Sequence, residues 1–278
     1  MSDRVAMTVA DGVADVRLDR PEKLNALDGA MFSALVDAAE QLSREPRVRV
    51  VVLSGNGRGF CAGLDVASFS AMADGNSGET SSAGAGSLTD RLPGRITNRA
   101  QQAAWAWTEL EVPVIAALHG PVLGGGIQIA LAADIRIVAP DAKLAVLEIR
   151  WGLLPDMTGA QMLPRLVGLD AAKELTFTGR VVSGREAVAL GLATRLSDTP
   201  LEDALALAGE IASQNPDAIR GAKALLNAAG QRPMAESFLD ESRRMAELIG
   251  SPNQIEAVMA HLGQRPAVFT DAVDEPGR

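Results

Sequence analysis

Short apolar runs that alternate with helical patterns dominate the first two thirds of the chain. Short runs of mostly apolar residues at 48–53, 114–118 and 135–138 predict strands buried on both faces, as in a parallel sheet. Residues 127–133 have helical spacing, and Asp28 is a candidate N-cap for an earlier amphipathic helix. Because strands and helices alternate, the pattern predicts an α/β fold.

The two ends of the chain have simpler patterns. Residues 4–18 predict two strands joined at Asp11–Gly12, a favoured hairpin pair. From Ser183 onward the pattern is mainly helical, with capping signals in SGRE at 183–186 and SPNQ at 251–254. The predicted C-terminal helices cover residues 201–213, 216–229, 234–249 and 252–262.

This change of pattern divides the chain into two predicted parts. We predict an α/β core over residues 1–196 and a C-terminal helical region over residues 197–278. Residues 70–95 are rich in Ser, Gly, Ala and Thr and lack a core pattern. Such a composition predicts a flexible loop within the core.

Two glycine-rich turns follow predicted strands. Residues 57–65 follow the strand at 48–53, and Gly124–Gly126 follow the strand at 114–118. Backbone without side chains can bring its N–H groups against a ligand atom, although an ordinary tight turn has the same composition. The triplet is not a P-loop or a dinucleotide-binding fingerprint, since no Lys-Ser or Lys-Thr follows it and GGGIQI does not fit G-x-G-x-x-G.

Charge and cysteine content narrow the class of protein. The net charge of −9 and the isoelectric point near 4.9 argue against nonspecific binding to nucleic acid or to anionic membranes. The lone Cys61 excludes an internal disulfide, and the first residues contain no apolar signal segment. No run is long enough for a membrane span. We therefore predict a cytoplasmic protein with no nucleic-acid or membrane partner.

Acid–base chemistry in this chain has few candidate groups. The sequence contains two histidines, His119 and His261, and no tyrosine. Neither histidine belongs to a triad pattern, and no His/Cys cluster has the spacing of metal ligands, so we expect no metal site. Any proton transfer is therefore expected to use carboxylates.

The segment around the glycine triplet, IAALHGPVLGGGIQIALAADI, resembles the signature of the enoyl-CoA hydratase/isomerase (crotonase) family. The resemblance implies a crotonase-like spiral of ββα units with a C-terminal helical trimerisation region. It also implies an acyl-CoA thioester substrate and no cofactor, since the coenzyme A is part of the substrate. The expected assembly is a homotrimer or a hexamer built as a dimer of trimers. Four further segments match in the expected order: DRPEKLNAL at 19–27, GRGFCAGLD at 57–65, LEIRWGLLPDMTGAQMLPRLVG at 147–168 and TGRVVSGREAVALGLATRL at 178–196.

The resemblance also assigns binding roles to individual residues. The backbone N–H groups of Leu64 and Gly125 would form an oxyanion hole for the thioester carbonyl, where two preorganised donors stabilise an enolate by several kcal/mol. Lys23 matches positions that meet the nucleotide end of coenzyme A, and Ala62 matches a backbone contact to the adenine. Asp65 would hold the loop of Leu64, with an exposed loop aspartate as the alternative.

Two further cations are weaker candidates for the phosphates of coenzyme A. They are Lys223 and Arg265. For each of them, a solvated surface charge is the simpler interpretation.

Three positions carry the implied acid–base chemistry. Hydratases of the family use two glutamates, and this chain has Gln128 at the first position and Glu148 at the second. Gln128 cannot exchange protons but could orient water or substrate. Dienoyl-CoA isomerases resemble this chain in having an aspartate at the position of Asp156, yet they also have an aspartate where Gln128 stands. The alternative role for Asp156 is a helix N-cap.

Glu148 is the residue that we expect to transfer protons. Its apolar neighbours Leu147, Ile149 and Trp151 are expected to be buried and to raise its pKa toward the working range. One carboxylate suffices for isomerisation of a double bond, whereas water addition needs two groups. Isomerisation is therefore the better chemical fit, with hydration and a non-catalytic acyl-CoA-binding paralogue as alternatives.

Overall fold

A computed structural model describes residues 3–65 and 88–271 and has the predicted α/β fold. Most of the loop predicted at 70–95 lies outside the described residues. The described strands are β1 (Val5–Ala10), β2 (Val13–Leu18), β3 (Val50–Gly55), β4 (Val114–Leu118), β5 (Pro121–Leu123), β6 (Ile135–Val138), β7 (Lys143–Ala145), β8 (Val182–Ser183) and β9 (Arg195–Leu196).

The helices connect these strands and form the C-terminal part. The described α-helices are α1 (Gly29–Ser43), α2 (Arg99–Glu109), α3 (Gly125–Leu131), α4 (Gly159–Val167), α5 (Leu169–Thr178), α6 (Gly184–Leu190), α7 (Pro200–Ala212), α8 (Pro216–Ala228), α9 (Met234–Leu248) and α10 (Pro252–Leu262). Short 3₁₀ helices cover Pro21–Lys23 and Glu148–Trp151.

A six-stranded sheet in the order β1-β2-β3-β4-β6-β9 forms the centre of the protein. Its strands from β2 to β9 are parallel, and β1 is joined to β2 by the predicted antiparallel hairpin. Asp11 and Gly12 both have positive φ, as a type I′ turn requires. A second sheet has three strands in the order β5-β7-β8, with β5 and β7 parallel and β7 and β8 antiparallel.

Both faces of the central strands β3 and β4 are buried, as their apolar runs predict. Val51 and Leu53 of β3 belong to the main core, whereas Val50 and Val52 contact a second cluster. This alternation follows from the two-residue repeat of a strand. The second cluster is closed by Ala204 and other alanines of α7, whose small side chains let this helix pack directly on the sheet.

The helical predictions agree closely with the structure. Asp28 accepts a hydrogen bond from the Met31 N–H and caps α1. Ser183 and Ser251 cap α6 and α10 in the same way. The helix predicted at 127–133 begins two residues earlier, at Gly125, so the glycine triplet enters the first turn of α3. The domain boundary between residues 196 and 197 stays a prediction. Within the described ranges, no helix is long and apolar enough to cross a membrane.

An ion pair between the buried Lys223 and the exposed Asp134 joins α8 to the central sheet and corrects one prediction. Lys223 is buried rather than solvated; its Nζ lies 2.8 Å from Asp134 Oδ2 and donates to the Val112 carbonyl at 2.9 Å. Asp134 Oδ2 also accepts from the Val114 N–H at 2.7 Å, at the start of β4. Burial lowers the pKa of Lys223, and Asp134 opposes that shift. Lys223 therefore joins helix to sheet instead of meeting a phosphate.

The substitution Lys223→Met should lower the free energy of unfolding by about 2 kcal/mol, because it removes the hydrogen bonds that Lys223 donates to Asp134 and to the Val112 carbonyl. Urea unfolding followed by circular dichroism measures this change. The matched control is Lys173→Met on the exposed side of α5, which should change stability by less than about 0.5 kcal/mol. Equal effects at the two positions would contradict the structural role of Lys223.

Candidate active site

The two glycine-rich turns meet in the structure. Gly63 has φ +87°, and a Cβ built on it would lie 2.7 Å from the Leu123 carbonyl oxygen, so only glycine fits. Gly124 has φ +53°, and a Cβ built there would lie 3.9 Å from the Gly63 Cα. Backbone hydrogen bonds between Cys61 and residues Pro121 and Leu123 hold the turns together. The two turns therefore lie directly against each other.

Leu64 and Gly125, the predicted oxyanion-hole residues, lie on these two turns. The Gly63 carbonyl accepts from the Leu27 N–H at 2.8 Å, and the Leu27 carbonyl accepts from the Asp65 N–H at 3.0 Å. These hydrogen bonds are made by Gly63 and Asp65, the two neighbours of Leu64, and not by the N–H of Leu64 itself. Gly125 is the first residue of α3, where the N–H has no carbonyl four residues earlier in the helix. The roles of both N–H groups stay predictions.

Glu148 lies beside the meeting point of the turns. A Cβ built on Gly124 would lie 3.7 Å from Glu148 Oε1, and only 9% of the Glu148 surface is exposed. Its Oε1 accepts a hydrogen bond of 2.6 Å from Gln128 Nε2. Its Oε2 is buried and has no hydrogen-bond partner among the residues that the structure describes. One carboxylate oxygen is thus held and the other remains available for chemistry.

Burial raises the pKa of the Glu148 carboxyl above its ordinary value. Hydrogen bonds from its own backbone and from Gln128 oppose the shift, and the charge of Asp156 adds to it. The expected cause is only partly correct, because Ile149 and Trp151 are exposed by 45% and 54% rather than buried.

Gln128 connects the carboxylate to the next turn of the chain. Its Oε1 accepts from the N–H groups of Met157 at 2.8 Å and Gly159 at 3.0 Å, while its Nε2 donates to Glu148. These partners fix which end of the amide faces Glu148, because two backbone donors require the oxygen. Gln128 is fully buried, and its contact with a substrate stays a prediction.

Asp156 lies near Glu148 but does not cap a helix. The helix α4 begins at Gly159, and its N-cap residue is Thr158, so the alternative role predicted for Asp156 is wrong. The Asp156 residue is exposed, yet the protein around its carboxyl raises its pKa by desolvation. The negative charge of Asp156 also raises the pKa of Glu148, so the two carboxyls interact electrostatically.

Two of the residues predicted to contact coenzyme A, Lys23 and Ala62, lie close together. Lys23 ends the exposed 3₁₀ helix, and the N–H of Ala62 donates to the carbonyl of the adjacent Leu24 at 2.9 Å. The two predicted positions are therefore brought together. Arg265 is paired with Glu256 through contacts of 2.6 and 2.7 Å, so its charge is already neutralised within α10 and the segment after it.

A polar network behind the Leu64 turn was not anticipated. The buried Asn25 donates through Nδ2 to the carbonyls of Gly59 and Phe60 at 2.9 and 3.1 Å. Arg20 Nη1 contacts Asp65 Oδ2 at 2.6 Å, so Asp65 holds the loop as expected. Asn25 belongs to the DRPEKLNAL segment. The sequence alone does not reveal that its side chain forms hydrogen bonds with the backbone of Arg20, of Asn56 and of residues 59–60.

Other candidate nucleophiles and cavities do not contribute to the site. Burial raises the pKa of the Cys61 thiol to about 12, so it is not a thiolate nucleophile. A surface groove of about 500 Å³ lies between β1 and α1, and none of the predicted site residues line it. Across residues 3–65 and 88–271, no group of His, Cys, Asp and Glu has the arrangement of a metal site.

Comparison with known proteins gives the family of this fold and site. The profile of the family "Enoyl-CoA hydratase/isomerase" matches residues 8–272. The chain belongs to the enoyl-CoA hydratase/isomerase family, whose members process acyl-CoA thioesters.

Individual relatives align with almost the whole length of this chain. The mitochondrial enoyl-CoA hydratase domain-containing protein 2 of Bos taurus is 35% identical over 91% of this chain and 83% of its own length. The mitochondrial methylglutaconyl-CoA hydratase of Homo sapiens is 31% identical over 92% of this chain and 73% of its own. A crystal structure of an enoyl-CoA hydratase from Bacillus anthracis superposes with a TM-score of 0.83 at 30% identity, covering 96% of this chain and 98% of the other. The crotonase-like fold is confirmed.

Glu148 should make the stability of the protein depend on pH in a defined direction. Its folded pKa is raised above the unfolded value of 4.5, so its stabilising contribution is complete below that value. The contribution is lost as pH rises through the folded pKa. The substitution Glu148→Gln removes the titration and keeps an oxygen acceptor for Gln128. We expect the stability of the variant relative to the wild type to increase as the pH rises above 4.5.

Thermal unfolding across this pH range measures the effect. The matched control is Glu111→Gln, a change at an exposed glutamate before β4, which should follow the wild type. A constant difference between Glu148→Gln and the wild type at every pH would contradict the raised pKa.

Proposed function

We propose that this protein moves a proton between carbons of an enoyl-CoA thioester, with Glu148 as the acid–base group. The Leu64 and Gly125 N–H groups would stabilise the negative charge that develops on the thioester oxygen. The carboxylate of Glu148 removes a proton from the acyl chain, which gives an enolate conjugated with the double bond. The same carboxyl then returns the proton at another carbon, so that the double bond moves and no atom is gained or lost.

The observation that carries this proposal is the state of the Glu148 carboxyl. Its Oε1 is held at 2.6 Å by Gln128, whereas its buried Oε2 has no partner in the part of the chain that the structure describes. A raised pKa brings proton release and uptake closer to neutral pH, which favours both halves of the transfer. The adjacent meeting of the two glycine turns supports an enolate at the same site.

Isomerisation fits this arrangement better than hydration for one chemical reason. Gln128 cannot exchange protons, so a second acid–base group is absent from the position next to Glu148. Asp156 is a candidate for a second proton carrier, because its charge raises the pKa of Glu148 and its own pKa is raised by desolvation. A pair of carboxyls would extend the transfer to dienoyl-CoA substrates, as in the dienoyl-CoA isomerases that this segment resembles.

Hydration of a 2-enoyl-CoA is the second candidate function. It is favoured by the relatives, which include the human methylglutaconyl-CoA hydratase, and by the free Glu148 oxygen, which could bind a water molecule. A non-catalytic acyl-CoA binder remains the alternative if no turnover occurs.

The coenzyme A end and the assembly belong to the same proposal. Lys23 and Ala62 lie close together, which fits contacts of both with one nucleotide. Exposed apolar side chains on α9 and α10 fit a homotrimer or a dimer of trimers. They include Met234, Phe238, Leu239, Met245, Ile255, Met259 and Leu262.

Three substrates distinguish the candidate reactions: crotonyl-CoA, a 3-enoyl-CoA and a 3,5-dienoyl-CoA, followed by mass and ultraviolet absorbance. The wild type should isomerise one of the last two, and Glu148→Gln should lower kcat by about 10²–10⁴ because the proton carrier is lost. Asp156→Asn should reduce turnover of the dienoyl substrate more than that of the 3-enoyl substrate. The control is Asp141→Asn at an exposed turn, which should retain full activity.

Each alternative has its own outcome in this assay. A crotonyl-CoA product heavier by one water would establish hydration, and a gain of that product with Gln128→Glu would indicate that a second carboxylate suffices to complete it. Full activity of Glu148→Gln would overturn the proposed role of this residue. Unchanged substrates despite measurable binding would favour the non-catalytic binder.

A further inference from the structure

The central sheet has a long free edge at β1. This strand is the outermost of the six and is six residues long, whereas β9 at the opposite edge has two residues, one of them charged. Exposed edges are usually protected by short strands, charged residues or Pro, because unpaired backbone groups bind other strands. The β1 segment VAMTVA contains no charged residue and no Pro. Among the described strands, β1 therefore forms the long edge without such protection.

Alternate residues of β1 direct their backbone N–H and C=O groups away from β2. In a two-residue hairpin the residues beside the turn, here Ala10 and Val13, form a hydrogen-bonded pair. Because this pairing alternates along an antiparallel ladder, the backbone groups of Val5, Met7 and Val9 point outward. Within the described part of the chain, no hydrogen bond from outside the hairpin reaches these groups. The edge is thus open to a further strand.

A surface groove follows this edge on the side of α1. It has a volume of about 500 Å³, and Met7 and Val9, two of the outward residues, line it together with the last turns of α1. Val9 is 36% exposed, and Met7 is only partly buried. Side chains of a strand alternate between the two faces of its sheet. A strand added to β1 would therefore place every second side chain in the groove.

The groove carries more negative than positive charge. Its lining contains three carboxylates and one guanidinium group, from Asp37, Glu40, Glu45 and Arg44. Glu45 pairs with Arg47 at 2.8 Å. Arg95 contacts both Glu40 and Glu109, so one cation serves two carboxylates. Asp37 has no ion-pair partner in the part of the chain that the structure describes, so a cation bound in the groove would meet a carboxylate that is still unpaired.

These charges determine which kind of strand fits the edge. The helix α1 ends at Ser43, so the negative end of its dipole also lies at the groove. A Lys or Arg side chain of an added strand would be attracted there. A second copy of this chain has a net charge of −9, and its β1 has no charged residue, so self-pairing would bring no cation to Asp37. Charge therefore favours a basic partner over a second copy.

We propose that the free edge of β1 binds an extended basic segment of a partner protein by strand addition. The outward N–H and C=O groups of Met7 and Val9 pair with the backbone of the segment, and its Lys or Arg side chains face Asp37 and the end of α1. An apolar side chain between them packs beside Met7 and Leu42 in the groove. The candidate active-site residues do not line this groove, so the inference is independent of the proposed proton transfer.

Fluorescence anisotropy of the labelled peptide Thr-Lys-Thr-Val-Thr-Lys-Thr, added to the whole chain, tests the proposal. The wild type should bind this peptide with saturation, and a peptide with Glu in place of both Lys should bind at least about tenfold more weakly. Two further peptides carry N-methyl groups on alternate amides, a different set in each. Only one set faces β1 in an added strand, so one methylated peptide should lose at least about tenfold in affinity while the other retains it.

Two substitutions separate backbone pairing from charge. Val9→Pro removes an outward N–H that the hairpin does not use, and it should weaken peptide binding at least about tenfold. Asp37→Lys should weaken binding about tenfold, since an attraction becomes a repulsion. The matched control is Glu241→Lys at an exposed position of α9, which changes the net charge equally and should keep the wild-type affinity. Circular dichroism verifies that each variant is folded, and the methylated peptides test the same pairing if Val9→Pro does not fold.

The inference is overturned if the wild type shows no saturable binding of the basic peptide. Equal binding of the two methylated peptides would exclude strand addition. Equal effects of Asp37→Lys and Glu241→Lys would reduce the interaction to attraction by the acidic protein as a whole. A smaller assembly of Val9→Pro in sedimentation without peptide would assign the edge to a second copy. Each of these results would overturn the inference and leave the proposed proton transfer untouched.

Discussion

The hydrogen bonds of the Gln128 side chain determine the arrangement of the candidate site. Two backbone N–H groups of the turn at 157–159 occupy the amide oxygen, so the amide nitrogen must face Glu148, 2.6 Å from its Oε1. This geometry holds one carboxylate oxygen and leaves the other buried without a partner in the described residues. An amide here keeps Glu148 as a single acid–base group, whereas a carboxylate at the same distance would have to share a proton with it.

Preorganised backbone provides the other half of the site. The turns at Gly63 and Gly124 approach so closely that a side chain on Gly63 would collide with the Leu123 carbonyl. Asn25 and the Arg20–Asp65 ion pair hold the first turn from behind, and the second turn leads directly into α3. Donors held in this way need little reorganisation when charge develops on a substrate oxygen. Polar residues that never touch a substrate therefore support the site as much as those that do.

The sequence predicts the sheet, most helices and the residues near the site because local patterns carry that information. Continuous apolar strands, the Asp11–Gly12 turn and the serine caps depend on neighbours in the chain, and the structure confirms them. Lys223, Gln128 and Thr158 were different. Lys223 is paired with Asp134, which lies 89 positions earlier in the chain. The hydrogen bonds of Gln128 depend on backbone N–H groups that follow Glu148. Likewise, no residue pattern distinguishes a threonine with positive φ and an unpaired hydroxyl from an ordinary helix cap.

The central claim is that Glu148 exchanges protons with a carbon of the acyl chain beside an oxyanion hole. It is tested most directly by incubating the enzyme with saturated butyryl-CoA in deuterated water and measuring deuterium at the α-carbon by mass spectrometry. This exchange requires only enolate formation, so its result does not depend on whether the complete reaction is isomerisation or hydration. The account predicts exchange by the wild type and a loss of at least about 100-fold with Glu148→Gln. Exchange that continues at the wild-type rate in that variant would contradict it.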